Sequence, residues 1–296
     1  MRKALSLDGP FWRRMARWGA RRGPRWFVRL APPVIGVVVC AVAVRRRRAI
    51  VRNLRRVRGR RGPLRDAADA ARTFSTYASC LTEVLAGPPG AERGEGADVQ
   101  VSVRGGGGVD AALALGRGLV LVTAHTAGWE VVGRLFNRHR HVDVMIVEAA
   151  EQDAASSAIQ DEARRSLGLK VVHVGGDPLS ALPLVRHLRC GGAVALQLDR
   201  VPPQVRSRAV TLFGEPGRIP EGPLRLAALT GAPIVAVFVA RTGHRRYEVF
   251  ASPAIKLERS AGDDALNGAA QELAARLEAF VRVRPCLLYT SDAADE

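Results

Sequence analysis

The sequence predicts an α/β protein: a largely parallel central sheet flanked by helices, preceded by a basic helical segment. Three observations carry this expectation. Beyond residue 117, short β-branched apolar runs alternate with helix-patterned stretches, the order that feeds parallel strands through covering helices. Hydrophobic residues make up 47% and charged residues 25% of 296 positions, which provides for a sizeable core and excludes a wholly disordered, collagen-like or low-complexity chain. The charge is also segregated. Residues 1–65 hold 20 Lys and Arg against a single acid, Asp8, whereas the rest holds 25 basic and 27 acidic side chains, so the net +17 belongs to the N-terminal fifth.

Such asymmetry calls for a polyanionic partner, either nucleic acid or an anionic membrane surface. The residues between the arginines decide for the membrane. Phe11, Trp12, Trp18, Trp26 and Phe27 alternate with Arg13, Arg14, Arg17, Arg21, Arg22, Arg25 and Arg29, and a 15-residue apolar run, Leu30 to Val44, ends at the tetrad Arg45 to Arg48. Trp and Arg at the borders of an apolar run suit the headgroup layer, where an amphipathic ring or a snorkelling guanidinium meets both phases. Nucleic-acid binding has no use for the run. Fifteen residues at ~1.5 Å each fall short of the ~30 Å hydrocarbon core, and Pro32 and Pro33 are expected to break the start of the run. An interfacial or re-entrant anchor is therefore favoured over a full span. Ala41 and Ala43 form an A-x-A, but the 29 residues ahead of the run and the arginines after it oppose a cleaved signal peptide. Within Arg45 to Arg65, Ile50, Leu54 and Val57 form a thin apolar stripe at i, i+4 and i+7 on a cationic helix, which is expected to lie on anionic lipid or in solvent.

The body follows in order. Ala67 to Leu85 is patterned as a helix and stops at Gly87-Pro88-Pro89-Gly90. One short strand-like piece precedes Gly105 to Gly108, which lack the Lys-Ser/Thr of a P-loop and are expected to form a flexible connector. Strands are expected at Gly118 to Thr123, Val142 to Val147, Lys170 to Val174, Ala193 to Leu198 and Pro233 to Ala240, with a last one at Tyr247 to Ile255 and a closing helix at Asp263 to Val283. In sheets of this kind, reactive groups gather where strands end. Four dispersed cysteines (Cys40, Cys80, Cys190, Cys286) show no CxxC spacing and point to a reducing compartment without a disulfide framework.

One strand end stands out. LVTAHTAGWEVV places His125 just past an apolar run and Glu130 five residues later, where the next helix starts. A carboxylate at a helix N-terminus stays ionised comfortably, and there Glu130 would hold the imidazole in one tautomer and stabilise its protonated form. His125 would then be a general base. Thr126 is expected to cap the following helix. His139, His141, His173, His187 and His244 lack metal-ligand spacing, so no metal or redox cofactor is implied.

The flanking residues carry a resemblance. HTAGWE resembles the H-x-G-N-W-E block of the bacterial lipid A biosynthesis acyltransferases and the related phosphatidylinositol mannoside acyltransferases, with Ala127-Gly128 standing where the family has Gly-Asn. Further blocks follow in the family's order: RRRRAIVRNL from Arg45, RRSLG from Arg164, AVALQLDR ending at Arg200, and FGEPGRIPEGPLRLAALTGAPIVAVFV from Phe213. Together they cover roughly residues 45–285. The resemblance implies a glycerolipid-acyltransferase-like fold and transfer of a fatty acyl group to a glycolipid hydroxyl. The acceptor would be a lipid A precursor or a phosphatidylinositol mannoside, and the donor a thioester, acyl-CoA or acyl carrier protein, with no other cofactor. It places the reaction at the cytoplasmic face of the bacterial inner membrane. Some family members pair the His with the acid ending the D-R strand, so Asp199 competes with Glu130 as partner of His125. Arg164 and Arg200 would bind an anionic headgroup or donor phosphate, Gly128 and Trp129 would line the substrate, and Gly214, Gly217 and Gly222 would frame a loop near the donor. Asp199-Arg200 also reads as a local salt bridge.

Three units are expected: a membrane-associating arm at 1–65, an acyltransferase domain at 66–285, and a tail at 286–296 (CLLYTSDAADE) whose acidic, unpatterned composition reads as non-native. Two other functions remain open on sequence, a glycerol-phosphate or lysophosphatidate acyltransferase and a non-catalytic membrane- or nucleic-acid-binding protein. The oligomeric state is not legible.

Overall fold

The computed structural model describes residues 10–86, 99–126, 128, 141–149, 165, 170–174, 178–202 and 205–285. Four helices lead in: α1 (Pro10–Arg22), α2 (Arg25–Val42), α3 (Val44–Arg58) and α4 (Pro63–Ala86). The body then runs β1 (Gln100–Arg104), α5 (Gly106–Leu113), β2 (Leu119–Thr123), β3 (Val144–Ala149), β4 (Lys170–Val174), α6 (Leu182–Arg189), β5 (Ala193–Gln197), β6 (Ser207–Leu212), β7 (Glu215–Pro220), α7 (Gly222–Thr230), β8 (Ile234–Gly243), β9 (Arg246–Ala251) and α8 (Asp263–Val283). Among the described residues the main sheet has the order β1-β9-β8-β2-β5-β3-β4, and β6 pairs with β7 in a separate hairpin.

Every pairing in the main sheet is parallel except β8 with β9. That exception follows from chain economy, since the turn at His244-Arg245 joins the two strands directly, whereas a parallel neighbour needs a crossover. Strand alternation builds both faces. Val120, Val122 and Ala124 point toward α6, α7 and α8, whose Leu188, Leu224 and Leu273 are fully buried. Leu119 and Leu121 join Val235, Val237, Val239, Tyr247 and the α5 residues Val109 and Ala112 on the other face. β2 is buried at all five positions, as the centre of a sheet covered on both sides must be.

The predicted strands and the closing helix are present, with end shifts of a few residues. The glycine run is a correction. Gly106 to Gly108 open α5 instead of forming a connector, and Gly105 takes a left-handed φ of 77° where a Cβ would overlap the Ala251 carbonyl. The β6–β7 hairpin was not expected as strands, because its sequence, SRAVTLFGEPGRIP, is polar and holds two prolines. Its pairing relies on neighbours: Phe213 N–H donates to Glu278 on α8 (2.7 Å), Arg282 lies over the Phe213 ring (5.6 Å), and Arg56 on α3 pairs with Glu215 (3.1 Å).

The N-terminal helices differ from expectation in two ways. α2 begins at Arg25 and passes through Pro32 and Pro33 without breaking. Proline already has a helical φ; what it removes is the bond to the carbonyl four residues back. Packing onto α4 offsets that loss: Ser75 Oγ donates to the Pro33 carbonyl (2.9 Å), and Gly36 abuts the α4 backbone so closely that a Cβ would lie 2.6 Å from Ser75 Cα. The result is a helix of 18 residues, long and apolar enough to cross a membrane by length and composition. Its outward face exposes Trp26, Leu30, Val34, Ile35, Val38 and Val42.

α3, by contrast, spends its apolar stripe inside the protein. Ile50 and Leu54 are buried in a cluster with Cys40, Ala70 and Phe74, and Val57 packs against the main core. Its arginines are tied inward too, Arg55 to Asp66 (2.8 Å), Arg58 to Asp69 (3.1 Å), and Arg47 to the Cys40 and Ala41 carbonyls that end α2 (3.2 and 3.1 Å). The apolar stripe of α3 therefore faces protein and not lipid. The tail at 286–296 lies outside the described residues.

Gly36→Leu should destabilise the chain by about 1–3 kcal/mol, because the α2–α4 backbones cannot separate without losing the cluster around Phe74. Thermal unfolding in detergent would read this. Gly107→Ala, whose added methyl meets nothing within 4 Å, should leave the melting temperature unchanged or raised.

Candidate active site

The site forms where two neighbouring parallel strands end. β2 and β5 pair with Thr123 opposite Gln197, and Leu198 N–H donates to the Thr123 carbonyl (2.8 Å), so the register persists just past the strands. His125 and Asp199 each lie two residues beyond that matched pair. The pleat then brings them side by side.

The contacts are close. Asp199 Oδ1 accepts the His125 backbone N–H (3.0 Å) and faces the ring Nδ1 (3.0 Å), with Oδ2 at 3.2 Å from the same nitrogen. The Asp199 side chain is only 3% exposed, while the His125 side chain is 30% exposed. An ionised carboxylate can only accept, so Nδ1 carries the proton and the lone pair falls on Nε2. A buried acid that fixes the tautomer of a half-exposed imidazole is what a general base requires. Of the two acids considered, Asp199 is thus placed against His125. Glu130 lies outside the described residues, as do Trp129 and Arg164. Arg200 follows Asp199 directly and is partly buried. The Asp199 carboxylate is bonded across the strands to His125.

The turn after His125 is clamped on its other side. Thr126 is buried, and its hydroxyl oxygen accepts a long bond from Val239 N–H on β8 (3.4 Å); the helix it was expected to cap lies outside the described residues. Gly128 has a φ of 78°, and a Cβ there would overlap the ring of Tyr247. Only glycine fits both demands. Gly214 forms the tip of the β6–β7 hairpin, Gly217 lies in β7, and Gly222 opens α7 beside Leu196 of β5.

One group near the site escaped the sequence. Glu83 on α4 is partly buried and collects Arg241 (Nη2, 2.7 Å), the Arg245 backbone N–H (3.3 Å), His244 (3.4 Å) and the Tyr247 hydroxyl. Burial, and then Cys80 and Glu83, push the Tyr247 phenol far above its ordinary range, so it remains a hydrogen-bond donor. Burial also pulls the His244 imidazole below its usual value, against the opposing charge of Glu83. The local signal was faint: one acid, Glu83, within the apolar end of a helical pattern. Its partners come from more than 150 residues away.

With this geometry in place, comparison with known proteins is informative. The profile described as bacterial lipid A biosynthesis acyltransferase matches residues 14–287. The chain belongs to that family. Over 128 residues this acyltransferase-family chain is 32% identical to the phosphatidylinositol mannoside acyltransferase of Mycobacterium tuberculosis (strain CDC 1551 / Oshkosh), and equally to that of strain ATCC 25618 / H37Rv. Each alignment covers 43% of this chain and 40% of the relative, so the chain matches well under half the length of these curated relatives.

Asp199→Ala should cost about 1–3 kcal/mol of stability, since it leaves the His125 backbone N–H and the ring Nδ1 without their acceptor. Denaturant unfolding monitored by tryptophan fluorescence would measure the loss.

Proposed function

We propose that this family member is a membrane-associated O-acyltransferase that moves a fatty acyl group from a thioester to a hydroxyl of a glycolipid. The observation that carries the proposal is the His125–Asp199 pair at the ends of β2 and β5, within a family of acyltransferases. His125 Nε2 takes the proton of the acceptor hydroxyl as its oxygen attacks the thioester carbonyl. The tetrahedral intermediate collapses, the C–S bond breaks, and the departing sulfur receives the proton from the imidazolium. The product is an ester plus a free thiol, with no acyl-enzyme. Asp199 keeps Nδ1 protonated and offsets the positive charge that appears on the ring, a contribution that a positioned base typically places at ~10²–10⁴ in rate.

The matched relatives favour a phosphatidylinositol mannoside-type acceptor over a lipid A precursor. Either acyl-CoA or acyl carrier protein serves as donor in this reading. Arg200 is assigned to an anionic group of donor or acceptor, and Gly128 to the floor of the substrate path. Glu130, Trp129 and Arg164 take the roles implied by the family likeness. Residues 1–65 form the membrane arm and 66–285 the catalytic domain, working at the cytoplasmic face of the inner membrane. Attachment is assigned to the outward face of α2, whose exposed apolar residues lie between arginine-rich ends.

His125→Ala should lower acyl transfer from a long-chain acyl-CoA to phosphatidylinositol mannoside by about 10³-fold or more with an unaltered circular dichroism spectrum, and Asp199→Asn by about 10²-fold. Turnover retained in His125→Ala would overturn the mechanism. Transfer to lysophosphatidate but to no glycolipid would overturn the acceptor class. Val38→Asp, at an exposed position of α2, should weaken co-sedimentation with phosphatidylinositol-containing vesicles about tenfold or more while activity on detergent-dispersed substrate persists.

A further inference from the structure

The geometry points to Tyr247 as a positioning residue for the catalytic turn: its ring forms the floor on which Gly128 rests, and that floor sets the orientation of His125. The inference rests on the reading of His125 as the base.

Tyr247 is 4% exposed and lies on β9, between its partners Arg241 on β8 and Val101 on β1. A residue that only filled this space would need no hydroxyl. Here the hydroxyl donates to Glu83 Oε2, while Glu83 Oε1 takes Arg241 Nε (3.1 Å), Arg241 Nη2 (2.7 Å) and the Arg245 N–H (3.3 Å). Glu83 and Arg241 side chains are 9% and 17% exposed. Burying such a pair costs desolvation that an apolar pair of the same size would avoid, so its contribution is better read as fixing geometry than as adding stability. What it fixes is the phenol ring, bonded at one end and packed along its edge against Gly128.

Gly128 stands three residues past His125. Between them the Thr126 hydroxyl is held by Val239 N–H. The turn is therefore gripped from both sides: from β5 through Asp199, and from β8 and β9 through Val239 and Tyr247. The Asp199 grip sets the tautomer of His125. The Tyr247 grip sets where the turn sits in relation to Asp199. A shift of about 1 Å in such a turn is enough to cost roughly 10²-fold in rate.

The test uses the full chain in mixed micelles with a long-chain acyl-CoA and phosphatidylinositol mannoside, alongside the ¹⁵N-imidazole titration of His125, assigned by its loss in His125→Ala. Tyr247→Phe keeps the ring but removes its anchor on Glu83, and should lower kcat per folded molecule about three- to tenfold with a small displacement of the His125 midpoint. Tyr247→Leu removes the floor and should lower kcat per folded molecule about 100-fold, with KM within about twofold and a displaced midpoint. A purely structural role would change the folded fraction but neither the midpoint nor kcat per folded molecule, and that result would overturn the inference. Should Tyr247→Leu fail to fold, Gly128→Ala drives the turn off the same ring and is expected to give the same displaced midpoint; an unmoved midpoint again overturns it. Failure of the base reading is distinguishable, because it appears as turnover in His125→Ala whereas the titration still reports whether Tyr247 controls that ring.

Discussion

The site depends on one carboxylate with two donors from one residue. Asp199 accepts both the backbone N–H and the ring nitrogen of His125, so backbone position and side-chain tautomer are set together. The arrangement follows from parallel pairing: residues equally far past a matched pair emerge at the same edge, and a short acid on one strand reaches the neighbour's backbone and side chain alike. Being nearly inaccessible to water, Asp199 retains its geometry without competition from solvent.

The N-terminal helices divide labour that composition merges. Twenty basic residues in one segment read as a single polycationic arm, yet α3 directs Arg47, Arg55, Arg56 and Arg58 at carbonyls and acids of the protein itself. Those contacts fasten α3 to α4 and to the hairpin, while α2 keeps an apolar face outside. α4 is the common support. Ser75 and the backbone around Phe74 seat α2, Asp66 and Asp69 hold α3, and Glu83, nearer the helix end, reaches the strands beside the His125 turn. One helix thus contacts both α2 and the strands beside the site.

The hairpin and the closing helix show the same economy. Arg208 joins Glu221 (2.6 Å) to Asp263 (2.6 Å) and Asn267 (2.7 Å), linking β6, the start of α7 and the start of α8. Glu278 is held below the ordinary carboxylate range by the Phe213 N–H and by Arg282. Arg208 and Glu221 are nearly inaccessible to water, whereas the pairs that reach Asp263 and Arg282 are exposed and contribute little stability singly. Their value is register, keeping a proline-containing hairpin against α8 where its own sequence has weak strand preference.

Much of this was legible in the chain alone. Period-two and period-3.6 patterns located Lys170–Val174 and Asp263–Val283 to the residue, placed the other main strands within a few, and put His125 at a sheet rim, because burial of one face imposes local periodicity wherever a strand or helix forms. Ordered blocks from RRRRAIVRNL at Arg45 to FGEPGRIPEGPLRLAALTGAPIVAVFV at Phe213 carried the family likeness. Local pattern could not bring Asp199 to His125, see α2 continue through Pro32-Pro33, or connect Glu83 with Tyr247. Each of these is decided by which distant segments meet: the parallel register of β2 and β5, the close seat of Gly36 on α4, and the approach of α4 to β8 and β9. Contacts between residues separated by 74 or 164 positions leave no period in the sequence, so only the tertiary structure could settle them.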